Sequence, residues 1–257
     1  MSHRHPIVIN VVAFIIWAVI VFTLVFGYEN RAGRFAGSGP DRAVPCAPIE
    51  VDSSRMPMMI PIELPNSDAE FEGLLHMGEP VLECKARARV DNNLAWDAYF
   101  LMLYPLALAA IMVALWSAKR ATPISNIVLL LGVATCVATG VFDFRENSGI
   151  AANLKALGQT LDFAAMKLDS RMKWVMLGLA CNWIALLQAL AREHPGRANG
   201  FESGRVCAGV SAAVFGLLGC FHARGLFAQE MNCVSAIMLL SAIDFSRPFI
   251  ARLWPRH

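Results

Sequence analysis

The sequence predicts an all-α protein, a polytopic membrane helix bundle of about six transmembrane helices carrying a largely irregular extracytoplasmic insertion. Three observations lead there. Hydrophobic residues make up 56% of the 257 residues and charged ones only 16%, where a soluble domain has about 45–50% and 25%. The apolar residues are gathered into runs, several of them long enough to cross about 30 Å of hydrocarbon. Between the first two runs lies a polar stretch of chain rich in proline. The formal net charge of +2 gives no footing for a nucleic-acid partner.

The first run, Ile7–Phe26, follows Arg4 and is longer than the roughly 7–15 apolar residues of a signal-peptide core. The bulky polar Gly27-Tyr28-Glu29-Asn30 that follows is a poor cleavage site, so residues 1–27 read as a retained signal-anchor helix. Residues 28–93 form the extracytoplasmic loop or cap, with prolines at 40, 45, 48, 57, 61, 65 and 80. A connection of that length is expected to be a small domain or a functional cap. Within it, Ile49–Val51 and Met58–Leu64 read as short extended pieces. Ser67–Met77 reads as a short helix capped at Ser67/Asp68, with Phe71, Leu74 and Leu75 as its apolar face.

Residues 94–257 supply the rest of the bundle, with spans at Leu94–Trp116, Ile124–Phe142, Trp174–Leu190, Val206–Phe221 and Met231–Ile243. Ile150–Leu168 carries apolar residues at helical spacing and is expected to lie in the interface as an amphipathic helix. With six spans, nine Lys or Arg fall on the side of the termini: Arg4, Lys119, Arg120, Arg192, Arg197, Arg205, Arg247, Arg252 and Arg256. Five fall on the other side: Arg145, Lys155, Lys167, Arg171 and Arg224. The excess of positive charge places both termini in the cytoplasm of a cell, read as the cytoplasmic membrane of a bacterium.

Seven cysteines divide by position. Cys136, Cys181, Cys207, Cys220 and Cys233 lie in or beside spans, where cysteine behaves as a small hydrophobe. Cys46 and Cys84 are the two in the outer segment, and in an oxidising compartment they form a natural disulfide. No Cys-x-x-Cys occurs, which argues against thiol redox chemistry.

The candidate site lies where three runs meet the outer face. Gly132, Cys136, Gly140, Asp143 and Asn147 follow one another at spacings that keep them on one helical stripe, with Glu146 beside its end. Asp97 and Tyr104 share a face of the second span, Asp97 opening it, and Lys173 opens the fourth. Ionisable groups at such positions are costly unless paired or wetted, so Asp97, Tyr104, Asp143, Glu146, Asn147 and Lys173 are expected to meet in an outward-facing pocket. A carboxylic acid held neutral in such a place serves as a general acid or a proton-coupled site. Plain solvation at the headgroups is the competing reading, and it is the expected one for Arg145 and Arg171. His222, Arg224 and Glu230 lie on an outer turn from which they are placed to join this cluster, although most such groups are solvated. Asn182 and Gln188 read as interhelical hydrogen-bonding groups. Asp244 reads as an ion pair with Arg247, and Gly209, Ala213 and Gly216 as a packing seam.

No metal or cofactor is expected. None of the histidines, at 3, 5, 76, 194, 222 and 257, pairs at ligand spacing inside a span, as a membrane haem requires. Met56, Met58, Met59, His76 and Met77 offer soft Cu(I) ligands but suit loop packing better. Nucleotide-binding, zinc-protease and serine-hydrolase motifs are absent. The leading expectation for function is therefore binding or transport of a small or lipid-like molecule. The alternatives are a membrane-embedded acid–base enzyme acting on a lipid or isoprenoid, and an accessory subunit whose outer loop docks a membrane-protein partner.

Overall fold

The structure, a computed structural model, describes residues 6–31, 62–65, 67–75, 77–117, 122–156, 163–191, 200–221 and 225–253. Among them are seven helices: α1 (Pro6–Arg31), α2 (Asp68–Leu74), α3 (Pro80–Ser117), α4 (Pro123–Lys155), α5 (Phe163–Ala191), α6 (Gly200–Phe221) and α7 (Gly225–Leu253). No strand occurs among the described residues. All but α2 are long and apolar enough to cross a membrane, with spans at Ile7–Val25, Asn93–Ser117, Pro123–Lys155, Phe163–Ala191, Gly200–Cys220 and Gln229–Ile250.

Local signals account for where these helices begin. Prolines occupy the first position of α1, α3 and α4, where the missing N–H costs nothing and φ is already helical. Thr122 precedes α4, and its hydroxyl accepts from the Ser125 amide at 3.1 Å. Ser67 caps α2 by accepting from the Glu70 amide at 3.1 Å, an arrangement that stabilises a helix by about 1 kcal/mol over alanine. This cap and the apolar face of α2 are as the sequence predicts.

Helix length departs from expectation. At about 1.5 Å per residue, α3 and α4 extend roughly 57 and 50 Å, well beyond a hydrocarbon core of about 30 Å. The apolar run is thus only part of each helix. Asp97 does not open its helix, which begins at Pro80; Lys173 lies well inside one that begins at Phe163. Asp143–Asn147 lie within α4, which continues to Lys155. The amphipathic helix expected at Ile150–Leu168 is therefore divided: its start is the end of α4, its end is the start of α5, and 157–162 lie outside the described residues. The insertion is also less irregular than expected, since 80–93 belong to α3 and Ile62 and Glu63 are helical where an extended piece was predicted. Ile49–Val51 and the prolines at 40, 45, 48, 57 and 61 lie outside the described residues, whereas Pro65 is described and buried. So does Cys46, and with it the expected pairing with Cys84.

The chain divides into two compact units: the first comprises Met1–Val21, Leu103–Val141 and Met172–His257, the second Phe22–Met102 and Phe142–Arg171. In the first unit, α1 buries Ile9, Val12, Ile16 and Val19 on one stripe and exposes Ile7, Val11, Phe14 and Val21 on another. An apolar helix with an apolar exposed side suits hydrocarbon, which needs no polar face. Cross-helix hydrogen bonds tie the helices at a few points, among them Trp17 Nε1 donating to Ser246 Oγ at 3.0 Å and Trp183 Nε1 to Thr135 Oγ1 at 3.2 Å. Small residues carry the closest approaches. Gly209 on α6 lies against the Cys181 carbonyl and Ala185 of α5, and Gly178 on α5 lies against the backbone of Ala212 and Ala213. The seam expected at Gly209, Ala213 and Gly216 is the surface that α6 turns to α5.

The second unit has its own apolar core, formed by Ile62, Phe71, Leu75, Ala86, Val90, Ile150, Leu154, Phe163 and Met166. Phe71 and Phe163 meet with ring centroids 5.0 Å apart. Short α2 is thereby docked on the far reaches of α3, α4 and α5, and this is what makes their extensions a folded body.

Candidate functional site

The acidic residues of the second unit follow from the stripe that builds its core. Along α4, Asp143, Glu146, Asn147, Ile150 and Leu154 recur at spacings of three and four, so they share a face. Ile150 and Leu154 enter the apolar core, and the same face draws Asp143 and Glu146 out of water, at 3% and 0% exposure. Asn147 Nδ2 donates to Asp97 Oδ2 of α3 at 2.7 Å. Four of the expected site residues therefore belong to this unit, and two of them form a direct interhelical hydrogen bond. Between the buried positions, Phe144 is exposed, and Arg145 turns outward to pair with Asp169 of α5, its Nε 3.2 Å from both carboxylate oxygens. Arg145 is exposed, in line with the expected solvation, but it also serves as the counter-charge that buried Asp169 requires.

Tyr104 and Lys173 belong to the first unit, where both are buried. The Lys173 ammonium lies 5.0 Å from the Trp174 ring centroid, and it acts electrostatically on the Glu230 carboxylate. Glu230, expected to be solvated, is fully buried. Two glycines explain how it fits. A Cβ on Gly178 would come within 3.2 Å of Glu230 Oε1, and one on Gly216 within 2.9 Å of Oε2. The carboxylate thus rests on bare backbone of α5 and α6. One turn away on α7, Phe227 stacks on Trp174 at 5.0 Å and 19°, with its ring against Gly219. Among the described residues the buried Trp174 indole N–H has no hydrogen-bond partner. The spacing Gly216/Gly219 on α6 against Phe227/Glu230 on α7 was the available signal, two small residues placed to receive two large ones.

A second buried polar group lies farther along the same three helices. Arg205, assigned by the sequence to a cytoplasmic connection, is instead inside α6 and 1% exposed. Its Nε and Nη2 donate to Gln188 Oε1 of α5 at 2.9 and 2.7 Å, and Nη2 donates to Asp244 Oδ2 of α7 at 2.9 Å. Asp244 also receives Arg247, as expected, but at 3.8 Å and from an exposed side chain. The buried Arg205 is its main partner. Gln188 does form the interhelical hydrogen bond expected of it.

Among the described residues no three His, Cys, Asp or Glu side chains are grouped to hold a metal ion. All six histidines, Met56, Met58 and Met59 lie outside the described residues. No family model, curated protein or solved structure matches this chain.

Proposed function

We propose that this is a multi-pass membrane protein that binds or carries a small or lipid-like molecule at Asp97, Asp143, Glu146 and Asn147 of its second unit. The observation that supports this most is the burial of Asp143 and Glu146 on the stripe that forms an apolar core. Leucine at those positions would pack without desolvation cost, whereas buried carboxylates are expensive to keep. The distribution of Lys and Arg favours cytoplasmic termini and an outward-facing second unit. Acidic groups beside apolar side chains suit a ligand with hydroxyl or amine donors on an apolar body.

The test is mass spectrometry of small molecules and lipids retained by detergent-purified protein, comparing wild type with Glu146→Gln. The variant keeps shape and hydrogen-bonding capacity but loses the charge. A species enriched in wild type should fall about tenfold or more in the variant, the equivalent of about 1.4 kcal/mol. Identical bulk-lipid profiles from two equally folded proteins would contradict the proposal.

A further inference from the structure

The Arg205 group carries an inference that uses none of the residues of the site proposed above. Arginine has five N–H donors. Three of its hydrogen bonds go to Gln188 and Asp244 through Nε and Nη2, while Nη1 is buried and has no partner among the described residues. Ser241 of α7 is in the same condition, fully buried with its hydroxyl unpartnered. A serine or threonine within a helix ordinarily satisfies itself on the carbonyl four residues back. Thr135, Thr139 and Ser148 do so here, on Leu131, Thr135 and Phe144. Ser241 does not.

The two unpartnered donors lie at the same level of adjacent helices. Ser241, Asp244 and Phe245 share a face of α7, and Arg205 lies on that face, bonded to Asp244 and 5.6 Å from the Phe245 ring centroid. The register agrees, since Gly204, next to Arg205, packs against Leu240, next to Ser241. Two guanidiniums, Arg205 and Arg247, share the single Asp244 carboxylate. Glu202, a turn earlier on α6, has contacts of its own. Arg247 is more than half exposed and rests over the Phe201 ring at 5.3 Å, so the group has a cationic side chain at its solvent-facing rim.

We infer that Arg205 and Ser241, with Arg247 at the rim, form a binding site for a phosphate-type oxyanion at the end of the first unit where α5 finishes and α6 begins. A guanidinium edge beside a hydroxyl is the donor geometry such a group accepts. The phosphate comes either from a membrane lipid headgroup or from free solution, and two assays on the full-length purified protein separate the sources. Native mass spectrometry measures retention of added phosphatidylglycerol against phosphatidylcholine. Thermal denaturation measures the effect of inorganic phosphate against chloride at equal ionic strength.

Two variants guard against misfolding: Ser241→Ala, which leaves the ion pair alone, and Arg205→Gln with Asp244→Asn, which neutralises both partners together. A lipid-derived phosphate predicts roughly tenfold preference for phosphatidylglycerol, reduced several-fold by Ser241→Ala and abolished by the double variant. A free oxyanion predicts instead that phosphate raises the melting temperature of wild type and of neither variant. Equal retention of the two lipids with no phosphate-dependent shift would overturn the inference. So would a preference that survives in both variants. Neither result bears on Glu146.

Discussion

Replacing Asp244 by alanine is expected to destabilise the protein by about 3–5 kcal/mol, because it leaves a buried guanidinium without its carboxylate. Arg205 is 1% exposed and cannot turn to water in place. Gln188 would remain, but an amide oxygen does not neutralise a charge. Unfolding by sodium dodecyl sulfate in mixed micelles measures the loss. The companion variant, Asp244→Ala with Arg205→Met, should recover most of it, since removing both members of a buried pair is far cheaper than removing one. A loss under about 1 kcal/mol in the single variant would mean that Arg205 is solvated after all.

Substituting valine for Gly209 should cost about 3 kcal/mol, the upper part of the range for overpacking a close interface. A Cβ there would run into the Cys181 carbonyl oxygen and lie 2.8 Å from the Ala185 Cβ. One obstacle is backbone and the other a methyl group, so no side chain can rotate away and α5 and α6 must separate. Gly73→Ala is the internal control. A Cβ at Gly73 meets nothing within 4 Å, and alanine is better than glycine inside a helix by about 0.5–1 kcal/mol. The same unfolding assay should therefore move in opposite directions for the two glycines.

These expectations indicate which parts of the molecule could be read from sequence. Six helices of spanning length were legible because hydrocarbon demands long, uninterrupted apolar runs, and α2 because Ser67 and the Phe71/Leu75 face state a cap and a side. The ends of α3, α4 and α5 were not. Hydropathy falls where an apolar run stops, but the helix continues if its next residues can pack, and Val90, Ile150, Leu154, Phe163 and Met166 pack against Ile62, Phe71 and Leu75. That core joins segments distant in sequence, and no local pattern declares it. The same lack hid Glu230 and Arg205. Each is a charged residue at the edge of an apolar run, which by itself reads as solvated. Glu230 is buried because glycines on two other helices leave room for it, and Arg205 because Gln188 and Asp244 arrive from two others. Asp143 and Asn147 were legible because they continue a small-residue stripe, with Glu146 beside its end, although the extension of α3 that carries Asp97 to Asn147 was not.

The claim that the acidic face of α4 opens outward as a ligand site is tested most directly by thiol labelling of Asn147→Cys, with the seven native cysteines replaced by alanine or serine. Asn147 is only partly buried and bonded to Asp97, so a thiol there reports on the site itself. A charged, membrane-impermeant maleimide added to intact cells is expected to label this position. Labelling confined to inverted vesicles would contradict the orientation. No labelling from either face, with full labelling after denaturation, would mean that the acidic face is sealed inside packed protein and holds no exchangeable ligand.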